Sequence, residues 1–169
     1  MSPRPHRGAA LSAATTAVLL FGGCAPSPPS EPAARFEANG VAVSVTLLSL
    51  PGGEREIQAT FRPQRTGFHL YSIDLPPGGV DGLGIPTRLA MRGDLRASGS
   101  PTADVTARIL HIAALKVDLP VYPDGPVTIT LPVDQTGSQH ADVIVDYGTC
   151  SDNQCLAPVT DQVIPLELD

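Results

Sequence analysis

Apolar residues alternate with small or polar ones along much of this chain. Val41, Val43, Val45 and Leu47 keep a period of two, and Ile57, Ala59 and Phe61 resume it after the break at Pro51-Gly52-Gly53. That period belongs to a strand with one buried face. Arg62 to Gly67 makes the next turn, and Phe68-His69-Leu70-Tyr71-Ser72-Ile73 predicts a third strand. Phe68 and Leu70 should share one face of it, and His69, Tyr71 and Ile73 the other. Asp74 to Pro86 carries too many glycines for a strand interior and reads as a loop. Thr87 to Met91 predicts a short strand, and Arg92 to Thr102 is polar. Val105 to Leu119 settles on neither a strand nor a helix period, and we read it as strand broken by loop. Val127, Ile129 and Leu131 alternate up to Pro132. Ala141 to Tyr147 and Val159 to Leu168 predict the last two strands.

Composition agrees with this pattern. The 169 residues hold 18 Pro and 16 Gly but no Trp, so long helices are disfavoured and the core must be built from Val, Leu, Ile and Ala. The expectation is an all-β protein, an immunoglobulin-like antiparallel β-sandwich of about eight strands. The first residues stand apart from it. Arg4, His6 and Arg7 precede an apolar run from Ala9 to Phe21, too short to span a bilayer, and Phe21-Gly22-Gly23-Cys24 follows. This end resembles a bacterial lipobox, in which the cysteine becomes the lipidated amino terminus, although Phe21 stands where a leucine is usual. The alternative is an ordinary secretory signal with Cys24 incidental. The expected organisation is therefore a signal peptide over 1–23, a lipidated Cys24 with a proline-rich tether over 24–35, and a sandwich domain over 36–169. Loss of Arg4 and Arg7 leaves nine basic against 17 acidic residues, a net charge of −8. Such a chain does not seek nucleic acid, and attachment to a membrane would come from its lipid anchor.

Three cysteines less Cys24 leave Cys150 and Cys155, and an exported chain keeps such a pair oxidised. Ser151-Asp152-Asn153-Gln154 between them is rich in turn formers and lies between two strand patterns, so the segment reads as a hairpin tip closed by a disulfide. A Cα separation of roughly 5.5–6 Å is expected for such a pair. A closed loop this small gains only about 2 kcal/mol from the cross-link. On these grounds a structural staple and an exchanging pair stand level. Other chemistry is poorly supported: His69, His111 and His140 are scattered, the Met count is two, and no hydrolase or phosphate-binding motif is present, so neither metal nor cofactor is expected.

Tyr147-x-x-Cys150-x-x-x-x-Cys155-Leu156-x-Pro158, followed by Val163-Ile164-Pro165-Leu166, resembles the amino-terminal periplasmic domain of DsbD-type thiol:disulfide interchange proteins. Gly67-Phe68-His69-Leu70-Tyr71-Ser72 with Gly84-Ile85-Pro86-Thr87, and Val121-Tyr122-Pro123-Asp124-Gly125-Pro126-Val127 through Val133, are similar to upstream blocks of that family in the same order. The resemblance implies an immunoglobulin-like sandwich whose cysteines alternate between dithiol and disulfide. It implies that Cys155 exchanges with thioredoxin-like or other exported thiol–disulfide partners and that Cys150 resolves the mixed disulfide. It also implies a shielding cap loop, placed by position within Leu110 to Leu119. Tyr71 matches an aromatic position beside the family's active pair, with Phe68 and Tyr147 as further candidate neighbours. Ala157 departs from the family, standing where many members have proline. The chain also ends at Asp169 with no electron conduit or thioredoxin domain, so a donor in another chain is expected. The whole reading is a monomeric, lipid-anchored thiol–disulfide oxidoreductase facing the periplasm. Its alternative is a non-catalytic binding or assembly lipoprotein with an inert disulfide.

Overall fold

The computed structural model describes Met1 and residues 33–168. The expected signal peptide, Cys24 and nearly all of the tether lie outside the described residues. Strands form wherever the period-two pattern was clean. They are β1 Ala34–Ala38, β2 Val41–Ser49, β3 Arg55–Pro63, β4 His69–Leu70, β5 Arg88–Gly93, β6 Leu95–Ala97, β7 Thr102–Ala103, β8 Arg108–Ile112, β9 Val117–Val121, β10 Val127–Gln135, β11 His140–Tyr147, β12 Thr149–Cys150 and β13 Val159–Glu167. There is no helix among the described residues. One sheet has the order β1-β2-β3-β10-β6, with β7 also on β10, and a second has the order β13-β11-β5. All the pairings are antiparallel. The expected all-β, immunoglobulin-like sandwich is the observed fold.

Inward residues of the two sheets meet in one core. Val43, Ile57, Phe61, Ile129, Val143 and Ile164 are among its members, each almost wholly removed from water. Register explains the consistency of this set, because a slip by one residue would turn every inward side chain to solvent. The described residues hold thirteen strands where about eight were expected, the strand expected over Phe68–Ile73 is reduced to β4, and three further details differ from the sequence reading. First, β1 begins at Ala34, ahead of Phe36, and pairs Ala34 with Val45. Second, the polar stretch from Arg92 to Thr102 contains the edge strands β6 and β7, anchored by the fully buried Leu95. Third, β10 continues through Pro132 to Gln135. Proline is tolerated there because the neighbouring edge is interrupted between β6 and β7. Only the Pro132 carbonyl is used on that side, accepting the Ser98 N–H at 3.0 Å.

The region that carries the cysteines is built differently. The β11–β13 register shifts between Val145 and Tyr147, a bulge that turns the chain away from β13. The next residues pair instead with β4, Thr149 against Leu70 and Cys150 against His69. On its other side the β4 segment meets the end of β9: Ser72 N–H donates to Pro120 O at 2.9 Å, and Tyr122 N–H donates to Leu70 O at 2.9 Å. This segment is thus interior and buried on both faces, with Leu70 in the main core and Tyr71 in a second, smaller cluster. The ambiguous Val105–Leu119 stretch resolves into the hairpin β8–β9, turning at Ala113 to Lys116.

Candidate functional site

Cys150 and Cys155 are joined by a disulfide across a tight turn. Ser151 N–H donates to Gln154 O at 2.7 Å, and Leu156 N–H donates to Thr149 O at 3.1 Å. These bonds flank the cysteines and make Cys150–Cys155 a non-hydrogen-bonded antiparallel pair, the kind whose Cα atoms approach closest. Their separation is 4.0 Å, shorter than the sequence reading expected, for that reason. Within the turn the Ser151 hydroxyl accepts the N–H groups of Asn153 and Gln154, so the turn formers satisfy their own backbone.

The two sulfurs lie in unlike surroundings. Cys150 is 5 % exposed and belongs to the second cluster, with Tyr71, Leu75, Val117, Leu119 and Val121. Cys155 is exposed. An attacking thiolate therefore meets Cys155 first, and Cys150 is the covered partner.

Tyr71 stands at the buried sulfur. Its hydroxyl is 3.2 Å from Cys150 Sγ, and because a disulfide sulfur has no proton, the phenol donates. Burial raises the Tyr71 pKa above its ordinary value, keeping it a donor. Two glycines hold the ring in place. A Cβ at Gly148 would lie 3.0 Å from Tyr71 Cδ2, and one at Gly84, where φ is +83°, would lie 3.0 Å from Tyr71 Cε1 and 2.7 Å from Leu75 Cδ2. Gly84 belongs to the glycine-rich loop, which forms one wall of a groove beside the disulfide through Leu83, Gly84 and Ile85. Leu156 and Pro158 line the same groove. On another side lies the β8–β9 hairpin, whose Leu110 and Ile112 pack against the cluster containing Cys150. The segment expected to cap the pair is therefore beside it, and the 80–86 loop shares that position.

The other candidate neighbours are placed elsewhere. Tyr147 is a main-core residue: its ring meets Phe61 edge-on at 5.6 Å, and its hydroxyl donates to Ala38 O at 2.9 Å. Burial pushes its pKa up to about 12. Phe68 is 8 % exposed beneath the Arg65 guanidinium, 5.7 Å from ring centroid to Cζ, and lies outside the Cys150 cluster.

Sequence reasoning passed over His69. It is the register partner of Cys150 and is 1 % exposed. Its ring stands edge-on to Tyr71 at 6.5 Å. Nδ1 lies 3.9 Å from Asp124 Oδ1, while Nε2 is buried with no hydrogen-bond partner among the described residues. Burial lowers the imidazole pKa, Arg108 lowers it further, and Asp124 and Asp152 oppose them. The period-two phase that puts His69 and Tyr71 on one face was the available signal. The pairing that sets that face against Cys150 was not in it. Among the described residues no group of three or more His, Cys, Asp or Glu could hold a metal ion.

No family model matches the sequence, and no curated protein matches it. Among solved structures the chain is similar to the N-terminal periplasmic domain of ScsB from Proteus mirabilis. The TM-score is 0.54 at 15 % identity, over 80 % of this chain and 51 % of that one. The match thus spans about half the length of the ScsB domain. It is also similar to the DsbD N-terminal domain of Neisseria meningitidis in its reduced form, with TM-score 0.45 and 12 % identity over 74 % of this chain and 89 % of that one. The chain shares its fold with the ScsB domain over the part that the match covers.

Proposed function

We propose that the protein is an exported thiol–disulfide exchange domain working through Cys150 and Cys155. The observation that carries this reading is the asymmetry of the pair, one sulfur open to solvent and the other buried under a phenol. Exchange proceeds by attack of a thiolate on a disulfide sulfur through a mixed disulfide, and access decides which sulfur reacts. Cys155 forms the mixed disulfide with an exported, thioredoxin-like partner, and Cys150 resolves it. Tyr71 is the working neighbour of the pair, and Phe68 and Tyr147 support the fold around it. The periplasmic setting of the ScsB domain supports export, the sequence of the first 24 residues supports a lipid on Cys24, and the proline-rich run that follows supports a tether to residue 35.

Cys150→Ala leaves Cys155 without its resolver. It is expected to accumulate a covalent partner complex, seen by non-reducing electrophoresis and abolished by Cys155→Ala. Absence of any such complex would return the disulfide to the role of an inert staple. Mass spectrometry of the mature amino terminus tests the anchor, with a lipid-modified Cys24 expected.

A further inference from the structure

His69 is the least explained group in this site. It is a titratable side chain almost wholly buried, and one ring nitrogen has no partner among the described residues. A buried polar atom left unpaired is destabilising, so a position that retains one calls for a reason. Its place in the register suggests that reason. Directly opposed residues on neighbouring antiparallel strands carry their side chains on the same face, with Cβ atoms about 4.5–5.5 Å apart. His69 opposes Cys150, and Tyr71, two residues along, reaches the same sulfur with its hydroxyl.

With its ring proton on Nδ1 towards Asp124, His69 has Nε2 as an acceptor, and in the disulfide Cys150 Sγ has no proton to give it. Opening the bond gives Cys150 an S–H. We propose that His69 Nε2 is the proton acceptor for the Cys150 thiol in the dithiol form, which makes His69 the general base of the resolving step. This rests on the exchange reading above.

Cys155 as thiolate attacks a disulfide of an exported protein; the mixed S–S bond forms, the partner's bond breaks, and its first sulfur leaves as a thiolate that takes a proton from solvent. Nε2 then removes the proton from Cys150 Sγ. The Cys150 thiolate attacks Cys155 Sγ, the Cys150–Cys155 bond re-forms and the mixed disulfide breaks. The partner's second sulfur leaves as a thiolate and recovers the proton from the imidazolium or from water. Two electrons pass from the pair to the partner, and the reverse direction uses the same groups.

Charges facing His69 come from three other elements: Arg108 on β8, Asp124 after β9 and Asp152 in the cysteine turn, with the Tyr71 phenol beside them. The two carboxylates favour an imidazolium and Arg108 opposes it. A neighbouring thiolate, present only after reduction, adds to the carboxylates.

The test compares the two redox states of the unmutated protein. The His69 imidazole resonance, assigned by its loss in His69→Gln, is titrated by NMR in the disulfide and the dithiol forms. The expected result is a higher midpoint in the dithiol form; equal midpoints overturn the proposal. A second arm keeps Cys150 as the single thiol of the pair, in Cys155→Ser. Its alkylation at neutral pH should be about threefold faster than in Cys155→Ser with His69→Gln, since one unit of thiol pKa raises the thiolate fraction about tenfold while lowering its intrinsic nucleophilicity. Equal rates across the pH range also overturn it. A raised midpoint with no trapped partner for Cys150→Ala upholds the His69–Cys150 coupling and removes only the partner reading.

Discussion

The two hydrophobic clusters of this protein do different work. The main core is laid down by long, clean strands and holds residues such as Ile57, Phe61 and Ile129 at full burial. The second is assembled from a two-residue strand, a hairpin, a glycine-rich loop and the cysteine turn, and includes Cys150 and Tyr71. One is closed by apolar packing. The other contains a phenol against sulfur and, beside it, an unpaired imidazole nitrogen. The lesson is that the sandwich supplies stability, while the smaller cluster covers one sulfur of the disulfide, so damage to each should show in a different measurement.

Phe61→Ala should produce the largest effect. Truncating a fully buried phenylalanine costs about 3–5 kcal/mol, read as a lowered denaturant midpoint. Disulfide reduction rates in the folded fraction should barely move. Tyr71→Phe should reverse the pattern. Loss of one hydroxyl costs about 1 kcal/mol of stability, and reduction of the disulfide by a small thiol should become faster, because the phenol no longer shelters the sulfur at 3.2 Å. If Tyr71→Phe left reduction unchanged while destabilising as much as Phe61→Ala, the division between the clusters would collapse.

The smallest effect concerns pH. In the disulfide form His69 has a lowered pKa and is held neutral by burial, so near pH 6 the unfolded chain binds more protons than the folded one. Stability contributed by the neutral imidazole is present above the unfolded pKa of about 6.5 and declines as pH falls below it. Urea unfolding of the oxidised protein between neutral and mildly acidic pH should show this decline, and His69→Phe should flatten it.

Period two identified most strands because a half-buried strand writes its burial directly into alternate residues, as in Val41–Val45 and Ile57–Phe61. Burial on both faces erases that code. Leu70 and Tyr71 go to different clusters, yet each face is interior, and nothing local says which buried group each side chain meets. Pro132 misled for a related reason: whether proline interrupts a strand depends on whether the neighbour needs its N–H, and that neighbour is remote in sequence. Tyr147, close to Cys150 along the chain, is separated from it in space by the bulge that turns the chain toward β4.

The sequence by itself determined the all-β sandwich, the alternating faces of its long strands, and the pairing of Cys150 with Cys155 across a turn, because all three depend on residues near one another or on simple alternation. Tertiary structure alone decided that Cys150 is covered and Cys155 open, that Tyr71 rather than Tyr147 stands at the sulfur, and that His69 is the register partner of Cys150. These depend on which segments lie side by side once the sheets have packed. That choice is made by burial summed over the whole chain, and no local window records it.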